Sequence, residues 1–227
     1  MGQRGVLLSE RDRKLLAWCG EQYTVRVDLL GVLMAALSGD PEVRARGRLT
    51  QQTVWRRLDG WRQAGLVKAE RILAVGPATM WLTADGMAVA GLPWRPYEPT
   101  FATVAHRHAV GLVRAEAEAK GLQWICEREL REGAAGRALH LADGVVVSVD
   151  EAGRRWRTAV EVELTRKTEA RVAAILRHLL ATFDDVVYRA VPSAAAVVER
   201  ATASLPGDGP DRVRIRSYPP PGLAAVA

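Results

Sequence analysis

The first 92 residues alternate apolar and polar positions in a pattern that predicts several helices followed by two strands. Ser9 is typical of a helix N-cap, and Asp12 stands at the capping-box position three residues later. This pair predicts a helix that continues through Trp18. A second apolar segment at 27–37 predicts the next helix.

The segment after residue 37 is predicted to be a basic loop. A further helix is predicted from Thr50 to Ala64, where Gly65 provides a preferred residue for ending it. The apolar residues of this helix recur at the spacing of one helical stripe and are expected to face a core. They are Val54, Leu58 and Trp61. Polar residues on the opposite side are expected to face solvent, and these are Gln52, Arg56 and Gln63.

Two strands are predicted at 66–72 and 79–83, joined through Gly76 and Pro77, which favour a turn. Helices followed by such a hairpin predict a winged helix-turn-helix domain at 1–92. In these domains the helix before the hairpin enters the major groove of DNA. The predicted wing tip from Gly76 to Ala78 has no positive charge, which predicts few contacts with phosphates.

Prolines interrupt the chain at 93–100, and this segment is predicted to be a linker. A second domain is predicted at 101–218, followed by a flexible tail at 219–227. Its hydrophobic pattern gives the order α-β-β-β-α-β-α-β, which is typical of an α/β sheet domain. The predicted fold class is therefore mixed α/β, with a winged helix-turn-helix followed by an α/β domain.

Composition narrows the cellular setting. The chain has 227 residues, and 48% are hydrophobic, which is enough for real cores. Cys19 and Cys126 are distant and lack metal-ligand spacing, so neither a disulfide framework nor a zinc site is expected. The sequence shows no signal peptide and no long apolar span, so we expect a cytoplasmic protein without a membrane partner.

The net charge is +6, and the positive charge is concentrated in one segment. From Arg44 to Lys68, seven basic residues face only Asp59, which predicts an electrostatic footprint for double-stranded DNA. Glutamine and arginine on the helix are suited to base edges, and the other arginines to phosphates. The alternative is a winged helix that contacts protein and has a solvated basic face. The residues predicted to contact DNA are Arg44, Arg46, Arg48, Thr50, Gln51, Gln52, Thr53, Arg56, Arg57 and Arg62.

Two acidic residues on one predicted strand indicate a second site. Because side chains alternate along a strand, Glu161 and Glu163 share a face. Asp143 on a neighbouring strand is a natural third ligand, and these carboxylates predict a magnesium site. The alternative is a solvated edge strand. His140 is close enough to reach the mouth of the same site, but it is interpreted as a surface histidine.

The strand order, with Asp143 before one strand and Glu161 on the next, resembles the core of the restriction-endonuclease-like superfamily. That pattern has an aspartate followed later by Asp/Glu-x-Lys. Glu163 occupies the position where a lysine is common, and Lys167 would replace that lysine only if the strand end brings it back. The resemblance implies a catalytic set of Asp143, Glu161, Glu163 and Lys167, with magnesium as the metal.

The whole chain resembles the replication-relaxation family of actinobacterial and plasmid-borne proteins. The resemblance implies a role with plasmid or mobile-element DNA in replication or transfer. The partners expected are double-stranded DNA, a second copy of the chain, and replication or transfer proteins. Two other functions remain open: an active magnesium-dependent endonuclease, and a transcriptional regulator whose second domain dimerises or senses a ligand. The matching positions are residues 9–12, 58–67, 81–83, 106–110, Asp143, residues 161–163 and residues 168–169.

Overall fold

The computed structural model describes residues 7–133 and 140–219, which form a mixed α/β protein. The predicted tail therefore lies outside the described residues, apart from Pro219. The chain divides into two compact units, one up to Gly111 and the other from Leu112. The first unit contains α1 (Glu10–Glu21), β1 (Val25–Arg26), α2 (Val27–Ala36), α3 (Pro41–Arg46), α4 (Gln51–Gln63), β2 (Val67–Glu70), β3 (Thr79–Leu82) and α5 (Ala84–Val89).

Helix α1 begins with the predicted capping box. The Ser9 hydroxyl accepts a hydrogen bond from the Asp12 backbone N–H at 3.2 Å, and the Asp12 carboxylate accepts one from the Ser9 N–H at 2.7 Å. Both donors would otherwise lack a partner inside the helix. The cap prediction is confirmed, and the helix ends three residues beyond the predicted Trp18.

Helix α4 also follows its sequence pattern. The Thr50 hydroxyl accepts a hydrogen bond from the Thr53 N–H, and Gly65 has a positive φ of 71° just after the helix. Val54, Leu58 and Trp61 are buried, whereas Gln52, Arg56 and Gln63 are exposed. The predicted division of this helix into a core face and a solvent face is confirmed.

The segment before α4 was predicted to be a basic loop, and this is wrong for its first part. Residues from Pro41 to Arg46 form the short helix α3. Asp40 caps it by accepting from the Glu42 N–H at 2.9 Å, and Pro41 stands at the first turn, where its missing N–H does no harm. The signal was present in Asp40-Pro41 but lay next to a short, highly charged stretch.

Strand β3 is the centre of a small antiparallel sheet with the order β1-β3-β2. The predicted hairpin is present as β2 and β3. Strand β1 pairs only two residues with β3, and such a short strand gives no alternating pattern to detect.

Residues 93–100 pack on this first unit. Glu98 accepts a hydrogen bond from Lys68 at 2.8 Å and one from the Trp81 indole at 3.3 Å. The Tyr97 ring lies 5.0 Å from the Tyr23 ring in an edge-to-face arrangement. These contacts fix the proline-containing segment beside strands β2 and β3.

The second unit is built on a five-stranded sheet with the order β4-β5-β6-β7-β8. The first two pairings are antiparallel, and the last two are parallel. Helix α6 begins in the first unit and ends in the second. The elements are α6 (Phe101–Ala119), β4 (Gln123–Cys126), α7 (Glu127–Gly133), β5 (Gly144–Val149), β6 (Arg155–Glu163), α8 (Glu169–Leu180), β7 (Asp185–Ala190), α9 (Pro192–Ala203) and β8 (Val213–Ser217).

Helices α8 and α9 pack on one face of this sheet. Val145, Val147 and Ala159 of β5 and β6 contribute to the core there, together with Tyr188 of β7. Glu161 and Glu163 are on this same face of β6, at the end of the strand. The predicted strands of this domain are all present, and α7 is an additional helix. Within the described residues, no helix combines the length and apolar content that a membrane span requires.

Candidate functional site

Basic and amide side chains are exposed on α3 and α4, and we call this set the basic surface. Residues 47–50 connect the end of α3 to the start of α4. The opposite stripe of α4 is buried, so this polar face is the part of the helix that a ligand can reach. The exposed members are Arg44, Arg46, Arg48, Thr50, Gln51, Gln52, Arg56 and Arg62, and Thr53 is half-buried.

Three arginines of the basic surface have weak local partners. Arg46 is 3.7 Å from Glu42, and Arg62 is 3.3 Å from Asp59. Arg44 donates to the Ser38 carbonyl at 2.7 Å. The two ion pairs are well exposed, and such pairs contribute little to folding. A phosphate can therefore compete for the guanidinium groups of Arg46 and Arg62 at small cost.

Arg57 has a different environment. Its guanidinium binds both carboxylate oxygens of Asp12, and the Asp12 side chain is only 2% exposed. A buried carboxylate needs such a partner, so Arg57 links α4 to the capped start of α1. The structure gives this predicted DNA contact a role in holding the helices together.

An open cleft of about 470 Å³ lies between the end of α4 and strand β2. Arg62 and Gln63 line it from the helix, and Lys68 lines it from the strand. The cleft is thus formed by the last turn of α4 and by β2, and the acidic residues Asp59 and Glu70 also line it.

The acidic residues meet at the end of the sheet in the second unit. Gly144 of β5 pairs with Val160 of β6, so Asp143 comes next to Glu161 in the same antiparallel register. The Asp143 carboxylate accepts a hydrogen bond from the Val162 N–H at 2.8 Å. Gly144 is required here, because a Cβ at that position would be 2.0 Å from the Trp124 ring.

Glu161 is buried, with 3% of its surface exposed. Burial and the nearby charge of Asp143 raise the pKa of its carboxyl group to about 7, while His140 and Lys167 act in the opposite direction. The His140 Nε2 atom is 3.0 Å from Glu161 Oε1, and this contact raises the pKa of the histidine. His140 therefore belongs to the acidic site and is more than a surface histidine near its mouth.

Lys167 reaches back from the loop after β6 and forms an ion pair with Glu163. The Thr165 hydroxyl donates to the other oxygen of Glu163 at 3.3 Å. The lysine also lies close enough to Glu161 to lower its pKa. The chain after β6 thus brings Lys167 back to the carboxylates. In this position it can replace the lysine that is common at position 163 in the restriction-endonuclease-like superfamily.

Tyr188 completes the cluster and was missed by the sequence interpretation. It stands opposite Glu161 in the parallel pairing with β7 and is fully buried. Burial and the charges of Glu161, Glu163 and Asp143 raise the pKa of its hydroxyl. That hydroxyl makes no hydrogen bond to any described residue. Residues 186–190 have the sequence Val-Val-Tyr-Arg-Ala, which predicts a strand. Nothing in this pattern indicates that Tyr188 faces the acidic pair.

The carboxylates of the acidic site are suitable ligands for a magnesium ion, but their arrangement in this structure is not that of a metal site. Carboxylate oxygens are the ligands this ion prefers. However, Glu163 is engaged by Lys167 and Asp143 by a backbone N–H. In residues 7–133 and 140–219, no three His, Cys, Asp or Glu side chains are grouped so that they could hold a metal ion. The magnesium site therefore stays a prediction.

Comparisons of the chain with models of protein families, with curated proteins and with solved structures found no match.

Proposed function

We propose that this protein binds double-stranded DNA through the basic surface and acts in the replication or transfer of plasmid or mobile-element DNA. The observation that carries the proposal is the exposure of Gln52 and Arg56 on one face of α4, with Val54 and Leu58 buried on the other. A helix held in this way can enter a groove without unfolding any part of its core.

The order of elements in the first unit supports a winged helix-turn-helix. Helices α2 and α4 are separated by the short α3, and the β2–β3 hairpin follows α4 directly. Strand β1 joins the hairpin on the far side of β3, so the sheet anchors the hairpin to the helices. In this arrangement α4 is the recognition helix, and the cleft beside β2 continues the binding surface.

The residues of the basic surface divide into two roles. Gln51, Gln52 and Arg56 read base edges, since glutamine pairs with adenine and arginine with guanine. The arginines near the turn between α3 and α4, together with Arg62, neutralise phosphates. Arg57 is assigned to folding, because it neutralises buried Asp12.

The second unit gives this binder its nuclease-like scaffold. The mixed sheet, with Asp143 and Glu161 on adjacent strands, supports the resemblance to the restriction-endonuclease-like superfamily. In the first proposal this unit makes further DNA contacts or joins two copies of the chain. The resemblance to the replication-relaxation family adds replication or transfer proteins as partners.

The proposal is tested by measuring the affinity of the full chain for short DNA duplexes at several salt concentrations. We expect the affinity to fall steeply with salt, with a logarithmic slope of about four for four phosphate contacts. Arg48→Glu should weaken binding strongly. Arg177→Glu changes the net charge equally at an exposed position on α8 and should have little effect. Equal losses in both variants would show that only the net charge matters and would contradict the proposal.

A metal-dependent endonuclease is the second candidate, and the return of Lys167 to Glu163 favours it. In that case Asp143 and Glu161 would hold magnesium, which would supply charge stabilisation at a phosphodiester. Lys167 would hold a proton near the same carboxylates, and His140 would orient Glu161.

Supercoiled plasmid incubated with protein and magnesium or manganese separates the two candidates. Nicked or linear product that requires metal and disappears in Glu161→Gln would assign nuclease activity to this site. A mobility shift without cleavage, equal in wild type and variant, would support DNA binding without nuclease activity. The glutamine variant keeps the size of the side chain and a partner for His140, so lost cleavage would not be a loss of folding.

A further inference from the structure

The tip of the β2–β3 hairpin is apolar throughout. Residues 72–78, which we call the wing tip, have the sequence Ile-Leu-Ala-Val-Gly-Pro-Ala without a charged or hydrogen-bonding side chain. Val75 is 87% exposed, and Gly76 has a positive φ of 112° that lets the chain turn there. Hairpin turns in water usually have polar residues, so a seven-residue tip without any polar side chain is unusual.

The wing tip is too small to be a protein interface by itself. Val75 is the one large apolar residue of the tip that is exposed, the exposed Ala74 and Gly76 are small, and Ile72 and Leu73 are half-buried. A stable dimer buries about 800 Å² on each partner, which is far more than one valine and its neighbours offer. A ligand that accepts one or two apolar side chains between its own layers needs much less area.

Charges near the wing tip indicate which ligand this is. Arg71 is exposed immediately before the tip. Lys68 in the neighbouring cleft is paired with Glu98, and Glu70 also lines that cleft. A polyanion bound along the basic surface would therefore meet Arg71 as it approached the tip. The tip has no charge for phosphates, so it is suited to the sugar edges and base stack inside a groove.

We propose that the wing tip inserts Val75 into the minor groove of bound DNA as an apolar wedge that partly unstacks one base step. This inference rests on the proposed DNA-binding function and adds a deformation of the duplex to it. The wedge favours steps that unstack easily, especially pyrimidine followed by purine. Sequence preference then arises at a position where the protein makes no base hydrogen bond.

The test measures DNA unwinding by the full chain at low salt. A singly nicked plasmid is incubated with protein, ligated and deproteinised, and its linking-number distribution is compared with that of plasmid ligated alone. Bound protein is measured in the same mixtures, so that variants are compared at equal occupancy. The variants are Val75→Ser, the conservative Val75→Ile, and Leu37→Ser as a control at another exposed apolar residue.

Wild type, Val75→Ile and Leu37→Ser should shift the linking number by the same amount per bound protein. Val75→Ser should lose most of this shift and bind roughly tenfold more weakly, with an unchanged salt slope, because the side chain is uncharged. An undiminished shift in Val75→Ser would overturn the wedge while leaving DNA binding intact. Failure of the wild type to bind DNA would overturn both proposals.

Two further measurements would assign the wing tip to another ligand. Sedimentation of wild type and Val75→Ser shows whether the serine dissociates a dimer, which would make the tip a contact between copies. Binding of wild type to phosphatidylserine vesicles, lost in Val75→Ser, would make it a membrane contact. Either result would overturn the wedge, whereas the wedge predicts the same sedimentation for both proteins and no vesicle binding.

Discussion

The basic surface of the first unit and the acidic cluster of the second unit hold their charges in different surroundings. Arg56 is exposed on α4, whereas Glu161 is 3% exposed on the face of the sheet where α8 and α9 pack. The first group can meet a ligand at the cost of a few local contacts near the surface. The second is tied together by His140, Lys167 and a backbone N–H. Exposed charges are accessible to a large ligand, whereas buried charges can contact only a small ligand or stabilise the fold.

Arg57 is the strongest test of this comparison, because it belongs to the basic segment and yet faces a buried carboxylate. Arg57→Ala leaves Asp12 buried without its counter-charge, and we expect the free energy of unfolding of the first unit to fall by about 3 to 5 kcal/mol. Denaturant titration followed by tryptophan fluorescence measures this. Arg56→Ala is the matched control at the next residue and should change stability by less than about 0.5 kcal/mol. Equal stabilities of the two variants would refute the assignment of Arg57 to folding.

The next largest effect is expected for His108, a buried side chain that is neutral in the folded protein at pH 7. It shares a hydrogen bond with Thr79 at 3.0 Å, and burial, with a smaller contribution from Arg26, lowers its pKa to about 4. The unfolded state therefore binds the proton first as pH falls. The contribution of neutral His108 to the free energy of unfolding is fully present above pH 6.5. About 3 kcal/mol of it is lost as pH falls from 6.5 to 4.

The His108 prediction is measured as the unfolding free energy of wild type and His108→Gln across that pH range. Glutamine keeps a polar partner for Thr79 and does not titrate. The difference between the two proteins should change by about 3 kcal/mol between pH 7 and pH 4. A constant difference would show that His108 already accepts a proton in the folded protein.

Arg56→Ala tests whether the exposed face of α4 reads bases. With duplexes selected from a random library by the wild type, we expect the loss of this side chain to reduce affinity by about 1 to 3 kcal/mol. Preference for the selected sequences should relax as well. The measurement is competition between selected and scrambled duplexes. A variant that weakens both duplexes equally would reduce Arg56 to a phosphate contact.

The sequence predicted the surfaces of single elements better than it predicted contacts between elements. The buried stripe of α4 and the cap at Ser9 follow from local spacing, and both are present. The pairing of Arg57 with Asp12 joins residues 45 positions apart, so no local pattern contains it. A helical position that looked solvated was therefore assigned to DNA.

The acidic site shows the same limit. Alternation placed Glu161 and Glu163 on one face of a strand, and the register brought Asp143 beside them. The sequence could not show that Tyr188 lies opposite Glu161, since that depends on the parallel pairing of β6 with β7. It also left open whether Lys167 returns, because this depends on the path of a loop.

Glu161 and Glu163 allow a smaller test within the acidic cluster. Both are 3% exposed, but Glu161 is repelled by Asp143, and Glu163 is paired with Lys167. Glu161→Gln removes a buried charge and should raise the free energy of unfolding by about 1 to 2 kcal/mol at pH 8. Glu163→Gln removes an ion pair and should lower it. Thermal melting measures both, and two changes of the same sign would contradict the division.

The smallest expected effect concerns Arg46, an exposed arginine 3.7 Å from Glu42 near the end of α3. Because it is assigned to a phosphate, Arg46→Ala should weaken selected and scrambled duplexes alike, by about 1 kcal/mol, and lower the salt slope by about one unit. Titrations of both duplexes at several salt concentrations measure the two quantities. Arg56→Ala changes the ratio between sequences, whereas Arg46→Ala should leave that ratio unchanged. If Arg46→Ala altered the ratio, α3 would also read bases, and the division of the basic surface into base-reading and phosphate-binding residues would fail.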